Sequence, residues 1–539
     1  MGGQRWLPLG VRIRESISDQ KITETDYFWQ RDEPTSDISV SPLKLFVDLD
    51  TFMDEQVAQS PSHLPTTVFQ SLGRDEQQID RCLRSALHAY IARWLPLFLR
   101  TESGARHSVP PLDEISRSCW RTARKDMLKA INLPSYRSVL ALYLFGQTPV
   151  PLGISPEEEL DGISGVVCSK TALLHVQQLR ERQRCCQFNG SGFSAWSDAS
   201  PDAHDKNPTA AAAASPTTHL TEAYLNLESR AYWATVTWDT SDSMTLNFRS
   251  TLSSGLKGAC TEPVWQLARG FLVGWFHDRT HAWRRPGFRV SSDVAPQITS
   301  AASVCTIYTW RTIASLKEAL REGVDEAGVQ VGWAALLDAV DVFTTTVRPI
   351  LRNCERQLHF LGQVDRLHWY EIVLLYHLGI LILADALEAA HRSDLLRQLE
   401  ALSLAAEHEC FNVLKFGLES TYTLTASRPH QRQQQQPSSD SATETELPAQ
   451  SSLRVSFVAI DPYPQHVVAA VMLMGKAFLR QYSQGSITHE AYCHLAATLR
   501  DALCQLPQNS KAVQSARENL QKLSAGYDSA SEPPHALSP

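Results

Sequence analysis

At 539 residues, with 43% hydrophobic and 20% charged residues, the chain has ordinary globular composition and is long enough for two or three domains. Its formal net charge of -8 argues against a protein that holds nucleic acid by bulk electrostatics. The 11 cysteines are scattered singly, apart from the adjacent Cys185 and Cys186, so no disulfide framework is expected and a reducing compartment is.

Residues 1–44 show no clear period and read as an N-terminal arm, without an apolar run long enough for a signal peptide. From Ile79 the pattern turns helical. Ile79, Leu83, Ala86, Leu87, Tyr90, Ile91, Trp94 and Leu95 recur at three and four, which predicts one apolar helix face, and Pro96 should end it. Ser155-Pro156-Glu157-Glu158 supplies a cap, a first-turn proline and acidic residues for the helix dipole. Residues 188–218, rich in Gly, Ser, Pro and Asp, have little to bury and predict a disordered insertion. Ala234 to Leu246, a Thr/Val/Trp mixture, reads as a helix end plus loop. Thr261-Glu262-Pro263 opens a helix through Val264, Leu267, Phe271, Leu272 and Trp275. Ile372 to Leu387 is the longest apolar stretch. His377 and Asp385 interrupt it, so it fits a buried core helix better than a membrane span. Ser393-Asp394 starts another helix. Residues 426–452, including Gln433 to Gln436, predict a disordered linker, and 526–539 a disordered tail. The expected fold is all-α: a large helical body over 45–425 with two disordered insertions, and a C-terminal helical lobe of the same body over 453–525.

Five blocks carry a family resemblance. They are the segment Ser116 to Arg184, RAYWATVTWDTSDSMTLNFRSTLSSGL from Arg230, HWYEIVLLYHLGILILADALEA from His368, FNVLKFGLESTYTL from Phe411, and DPYPQHVVAAVMLM from Asp461. Together they resemble the regulatory, or middle homology, region of fungal transcription factors of the binuclear zinc-cluster class. The resemblance implies an all-helical regulatory domain that binds effectors or partners and supports dimerisation. It also implies a nuclear role in transcription, controlling a biosynthetic gene group.

One part of that family pattern is missing. A binuclear zinc cluster needs six thiolates, opening C-x2-C-x6-C, yet the first cysteine is Cys82 and no two lie three positions apart. Direct DNA binding is therefore doubtful. DNA contact is expected through a partner, through another surface, or through a cluster encoded upstream of this start.

Catalytic patterns fare poorly. Asp48-Leu49-Asp50-Thr51 resembles the opening of a haloacid-dehalogenase phosphatase, but the threonine sits one place early, and a helix cap is the expected role. Gly165 to Lys170-Thr171 lacks the glycine a phosphate loop places before its lysine, so an exposed helical lysine is expected. His489 and His494 flank a zinc-protease-like stretch, but five residues on a helix put them about 140° apart. His368, Glu371, His377 and Asp385 cluster on the apolar helix and read as satisfied core polar groups. Asp338-Ala-Val-Asp341 is too sparse for the magnesium motif of a terpene synthase. The basic clusters Arg180-Arg182-Arg184 and Arg121-Arg124-Lys125 read as solvated helix faces. No catalytic, cofactor-binding or metal-binding residue is assigned, and no cofactor. The function expected is a transcriptional regulator acting through a protein partner or homodimer; the alternative is a helical enzyme, terpene-cyclase-like or other, in the same kind of pathway.

Overall fold

The structure, a computed structural model, describes residues 42–59, 66–99, 112–188, 222–252, 263–425 and 452–528. Most of the expected arm, insertions and tail (1–41, 189–218, 426–451 and 529–539) lies outside the described residues, but residues 42–44 and 526–528, expected in the arm and tail, are helical, in Pro42–Gln59 and Lys511–Asp528.

The first eight helices are α1 (Pro42–Gln59), α2 (Thr66–Ala92), α3 (Leu95–Leu99), α4 (Leu112–Ala130), α5 (Tyr136–Gly146), α6 (Pro156–Leu160), α7 (Gly165–Phe188) and α8 (Glu222–Thr245). The three-and-four spacing in α2 does bury Ile79, Leu83, Ala86 and Tyr90; Ile91, counted on that face, instead stands 42% exposed. Pro96 falls at the second position of α3, where its missing N–H has no intrahelical partner to lose. Ser135 caps α5 by accepting the Ser138 N–H, and Ser155 caps α6 by accepting that of Glu158. Helices α1, α2, α4, α5, α7 and α8 close over one core that includes Leu45, Phe46, Trp120, Tyr136, Phe145 and Trp238. Helices α5 and α7 meet at a pair of glycines: a Cβ on Gly165 would stand 3.1 Å from the Gly146 carbonyl oxygen.

Helix α8 links this core to a second one. It is helical throughout to Thr245, which corrects the expectation of a loop before Leu246. The reason is two-sided burial. Ala231, Ala234 and Trp238 face the first core, whereas Trp233, Val236 and Met244 face the second. Burial on both sides, of polar residues such as Thr235 and Asp239 as well as apolar ones, leaves no amphipathic period to read.

The second core is built by α9 (Pro263–Gly270), which runs through a π-turn at Phe271–Phe276 into the short α10 (His277–Arg279), then α11 (Ala295–Glu322), α12 (Glu326–Val342) and α13 (Arg348–Glu355). It continues with α14 (Gln363–Ala389), α15 (Ser393–Glu419), α16 (Pro464–Ser483), α17 (His489–Gln505) and α18 (Lys511–Asp528). By length and composition alone α14 is apolar enough to cross a membrane. Its apolar surface is taken up by protein instead: Leu378, Ile380, Leu383 and Leu387 are fully buried, against α11, α15 and α16. At Gly379 the Trp310 indole comes so near that a Cβ would stand 2.6 Å from its Nε1, which donates to the Leu375 carbonyl at 2.8 Å.

One element was not foreseen. Thr421–Thr425 (β1) and Ser452–Ser456 (β2) pair antiparallel, Thr421 opposite Ser456 and Thr425 opposite Ser452. The alternation Thr-Tyr-Thr-Leu-Thr is a β pattern, with Tyr422 buried. The all-α class otherwise holds: helices dominate, with this one two-stranded sheet.

Candidate functional site

Most sequence candidates for chemistry are tied up in internal contacts; the exceptions include His377, expected to be satisfied but buried with no partner at Nδ1, and the exposed His489. Asp50 lies inside α1 and not at a strand end. Its buried carboxylate accepts the N–H groups of Tyr136 and Arg137 at 2.7 and 2.9 Å and the Arg137 Nε at 2.8 Å, so it caps α5 from across the core. Lys170 is not the exposed lysine expected. Its Nζ donates to the Arg249 carbonyl and to Thr251 Oγ1, both at 3.1 Å, and lies 3.7 Å from Asp239, fastening the chain after α8.

Asp338 of the sparse magnesium motif is held by Arg269 at 2.5 Å. Asp385 is held by Lys476 at 3.0 Å. Among the described residues no group of three His, Cys, Asp or Glu side chains is placed to hold a metal ion.

In the basic clusters Lys125 is exposed and the Arg121 side chain 40% exposed, as a solvated face requires, whereas Arg124 and Arg180 turn inward. Arg124 is buried; it donates to the Ile163 carbonyl at 2.9 Å and to the Glu158 carbonyl, and lies over the Trp120 ring. Arg121 grips Glu158 at 2.5 Å, and Arg180 grips Glu228 at 2.5 Å while stacking 3.5 Å above the Tyr232 ring. A guanidinium stacked on an aromatic and bonded to carbonyls is desolvated at little cost, so Arg124 serves the interior. The side chains of Arg182 and Arg184 lie outside the described residues.

A polar seam joins the two cores at the block Asp461-Pro-Tyr-Pro-Gln-His466. Arg93, at the end of α2, is buried between the Tyr90 and Trp94 rings, 3.9 and 4.0 Å from their centroids, and donates to the Pro462 carbonyl at 3.0 Å. Asp461 accepts the Tyr463 N–H at 2.8 Å and faces the Tyr370 hydroxyl at 3.4 Å. His466 bonds Ser241 at 2.9 Å.

Burial dominates the titration of this region. It pushes the Asp461 carboxyl up to about 6, against the pull of the Tyr463 N–H and Arg93. Burial, and then the nearby Asp461 charge, push Glu371 up to about 8. Burial also pushes His466 and His377 down to about 3, with Arg348 adding to the effect on His377. The void beside Arg93, about 10 Å³ and bordered by Ser116, Thr148 and Asn509, has room for one water. The seam therefore gathers buried carboxyls whose titration is set by desolvation.

Open space occurs at the surface instead. A groove of about 410 Å³ runs between α14, α15 and α16. Its floor is aliphatic, with Leu381, Ala384, Leu473 and Ala477, and Leu404 stands 60% exposed at its edge. The α14–α15 wall carries Asp385, Glu388, Glu400 and Glu407, with Arg397 among them, and the α16 wall carries Lys476 and Arg480. Arg480 and Gln481 reach across to Glu407 at 3.3 and 2.7 Å. Burial raises the Glu407 carboxyl, partly offset by Arg480. The groove thus sets an aliphatic floor between a largely acidic wall and a basic one. The consecutive α14 and α15 make it together with α16, which follows the second insertion, and no local pattern announces it.

No known protein family, curated protein or solved structure matches the chain. The resemblance to zinc-cluster regulators thus rests on the five quoted blocks. In the fold these blocks form α4 to α7, α8 and the loop it fastens, α14, the end of α15 with β1, and the seam with α16.

Proposed function

We propose that this chain is a nuclear transcriptional regulator of fungal type that controls a biosynthetic gene set through a protein partner. The observation that carries the reading is the contrast between the closed interior and the open groove. Asp50 and Lys170, the phosphatase and phosphate-loop candidates, are engaged by internal contacts, while a 410 Å³ groove faces outward. Arg124 and Arg180 of the basic clusters are absorbed by internal contacts, which supports DNA contact through a partner over contact by this chain.

The partner segment that fits is an amphipathic helix. Its aliphatic face meets the Leu473 and Ala477 side of the floor, its basic edge meets the largely acidic α14–α15 wall, and its acidic edge meets Lys476 and Arg480. The test is deletion of the gene with transcript profiling, followed by complementation. The wild-type chain restores a coherent gene set and concentrates in the nucleus; a folded Leu404→Glu chain fails to restore it. Unchanged transcripts with loss of a single product, in cells carrying a stable His368→Ala, Glu371→Ala chain, would make the protein a helical enzyme instead.

A further inference from the structure

Where α16 ends and α17 begins, a thiol, an imidazole and a phenol converge. Thr488 caps α17 by accepting the Ala491 N–H at 3.2 Å, which sets His489 at the first helical position. Cys493 follows four residues on, on the same face, with its Sγ 3.4 Å from His489 Nε2. His489 Nδ1 lies 3.3 Å from the Tyr482 hydroxyl oxygen. The tautomer that satisfies both contacts carries its proton on Nδ1, donating to Tyr482, and leaves Nε2 to accept from the thiol. Tyr482 is itself steadied by stacking on the buried Tyr492, ring centroids 5.1 Å apart. Cys493 and His489 are both exposed. A thiol within reach of a base that a third group orients is the arrangement that activates cysteine. The zinc-helix pattern had singled out His489 with His494; the residue that meets His489 is Cys493.

We propose that Cys493 is a reactive thiol that exchanges with low-molecular-weight disulfides, with His489 as its base and Tyr482 as a positioning residue. Cys493 passes its proton to His489 Nε2 as Sγ attacks one sulfur of the disulfide. The S–S bond of the small molecule breaks, and the departing thiolate takes the proton from the imidazolium. The products are a mixed disulfide on Cys493 and one free small thiol. The Cys493 sulfur is oxidised as the departing sulfur is reduced, so no further oxidant is needed. The site adjoins the groove, since Gln481 and Gln484, flanking Tyr482 in the last turns of α16, line it. The assignment stands on this geometry and not on the regulator reading.

Cys504, exposed at the other end of the same helix, is the built-in control. The full chain is treated with glutathione disulfide at pH 7, and the modified cysteines are mapped by peptide mass spectrometry over time. Cys493 should react roughly tenfold or more faster than Cys504, a modest part of the 10²–10⁴-fold that a positioned base contributes. His489→Asn should bring Cys493 down to the Cys504 rate with an unchanged melting curve, and Tyr482→Phe should fall between. Equal rates at the two cysteines, or a folded His489→Asn chain that keeps the fast rate, overturn the proposal. Should His489→Asn alter the melting curve, Tyr482→Phe decides: an undiminished Cys493 rate in that variant overturns it as well.

Discussion

The Tyr370 ring lies against Gly417 so closely that a Cβ on the glycine would stand 2.3 Å from Tyr370 Cε2. Its hydroxyl faces Asp461 at 3.4 Å, so one fully buried side chain ties α14 to α15 and to the segment leading into α16.

Gly417→Ala tests that contact. In an exposed helix the change would stabilise by about 1 kcal/mol. Here the added methyl must displace a ring packed by Phe457 and bonded to Asp461, and overpacking of this kind costs about 1–3 kcal/mol. The net expectation is a destabilised protein with a lower midpoint in urea. An unchanged or raised midpoint would show that Tyr370 moves aside freely.

Glu371 sets the pH dependence just above neutrality. Its folded value of about 8 lies above the ordinary 4.5, so the folded state holds a proton that the unfolded chain has released. That contribution is complete below about pH 4.5 and is lost as pH rises towards 8. Asp461 acts with the same sign over a window that ends near 6. His377 and His466, depressed to about 3 from 6.5, act oppositely: their contribution is present above 6.5 and lost as pH falls. Between pH 6.5 and 8 the Glu371 effect therefore stands out. Urea unfolding should show stability falling across that interval in the wild type and staying flatter in Glu371→Gln. Parallel slopes in the two proteins would refute the assignment.

Two leucines bordering the same groove should behave differently. Leu381 is 5% exposed, and Leu381→Asp puts an unpaired carboxylate into the α14 interior at a cost of several kcal/mol, so the chain should fail to fold. Leu404 is 60% exposed, and Leu404→Glu should change stability by less than about 0.5 kcal/mol. Circular dichroism melts of both variants check the contrast. Equal destabilisation would mean that the groove is closed in solution.

Asp50→Ala should be more harmful than its place near the start of the described chain suggests. It removes the acceptor of two α5 N–H groups and of the Arg137 Nε, at a cost of about 2–4 kcal/mol. Asp50→Asn keeps one carbonyl acceptor and should lose less. A thermal shift assay that ranks the two variants the other way would rule out the capping role.

The sequence by itself determined the helical class, the cap at Ser155, the helix start at Ser393-Asp394, the break just before Pro96 and the buried α14. Those features are local: they follow from spacing, capping chemistry and the fixed φ of proline. It did not show that α8 is helical to Thr245, because a helix buried on both sides carries no period. The β1–β2 pairing was also hidden, since two five-residue strands separated by 26 residues gain stability only when they meet. Nor did the sequence show where its charges go. Arg124 and Arg180 look like a solvated surface until Trp120, Glu228 and Tyr232 are brought against them. The groove between α14, α15 and α16, and the approach of Tyr482 to His489, were decided by tertiary structure alone. Packing set both, because helices that meet over a shared core choose their neighbours by shape, and the residues that converge need no pattern along the chain.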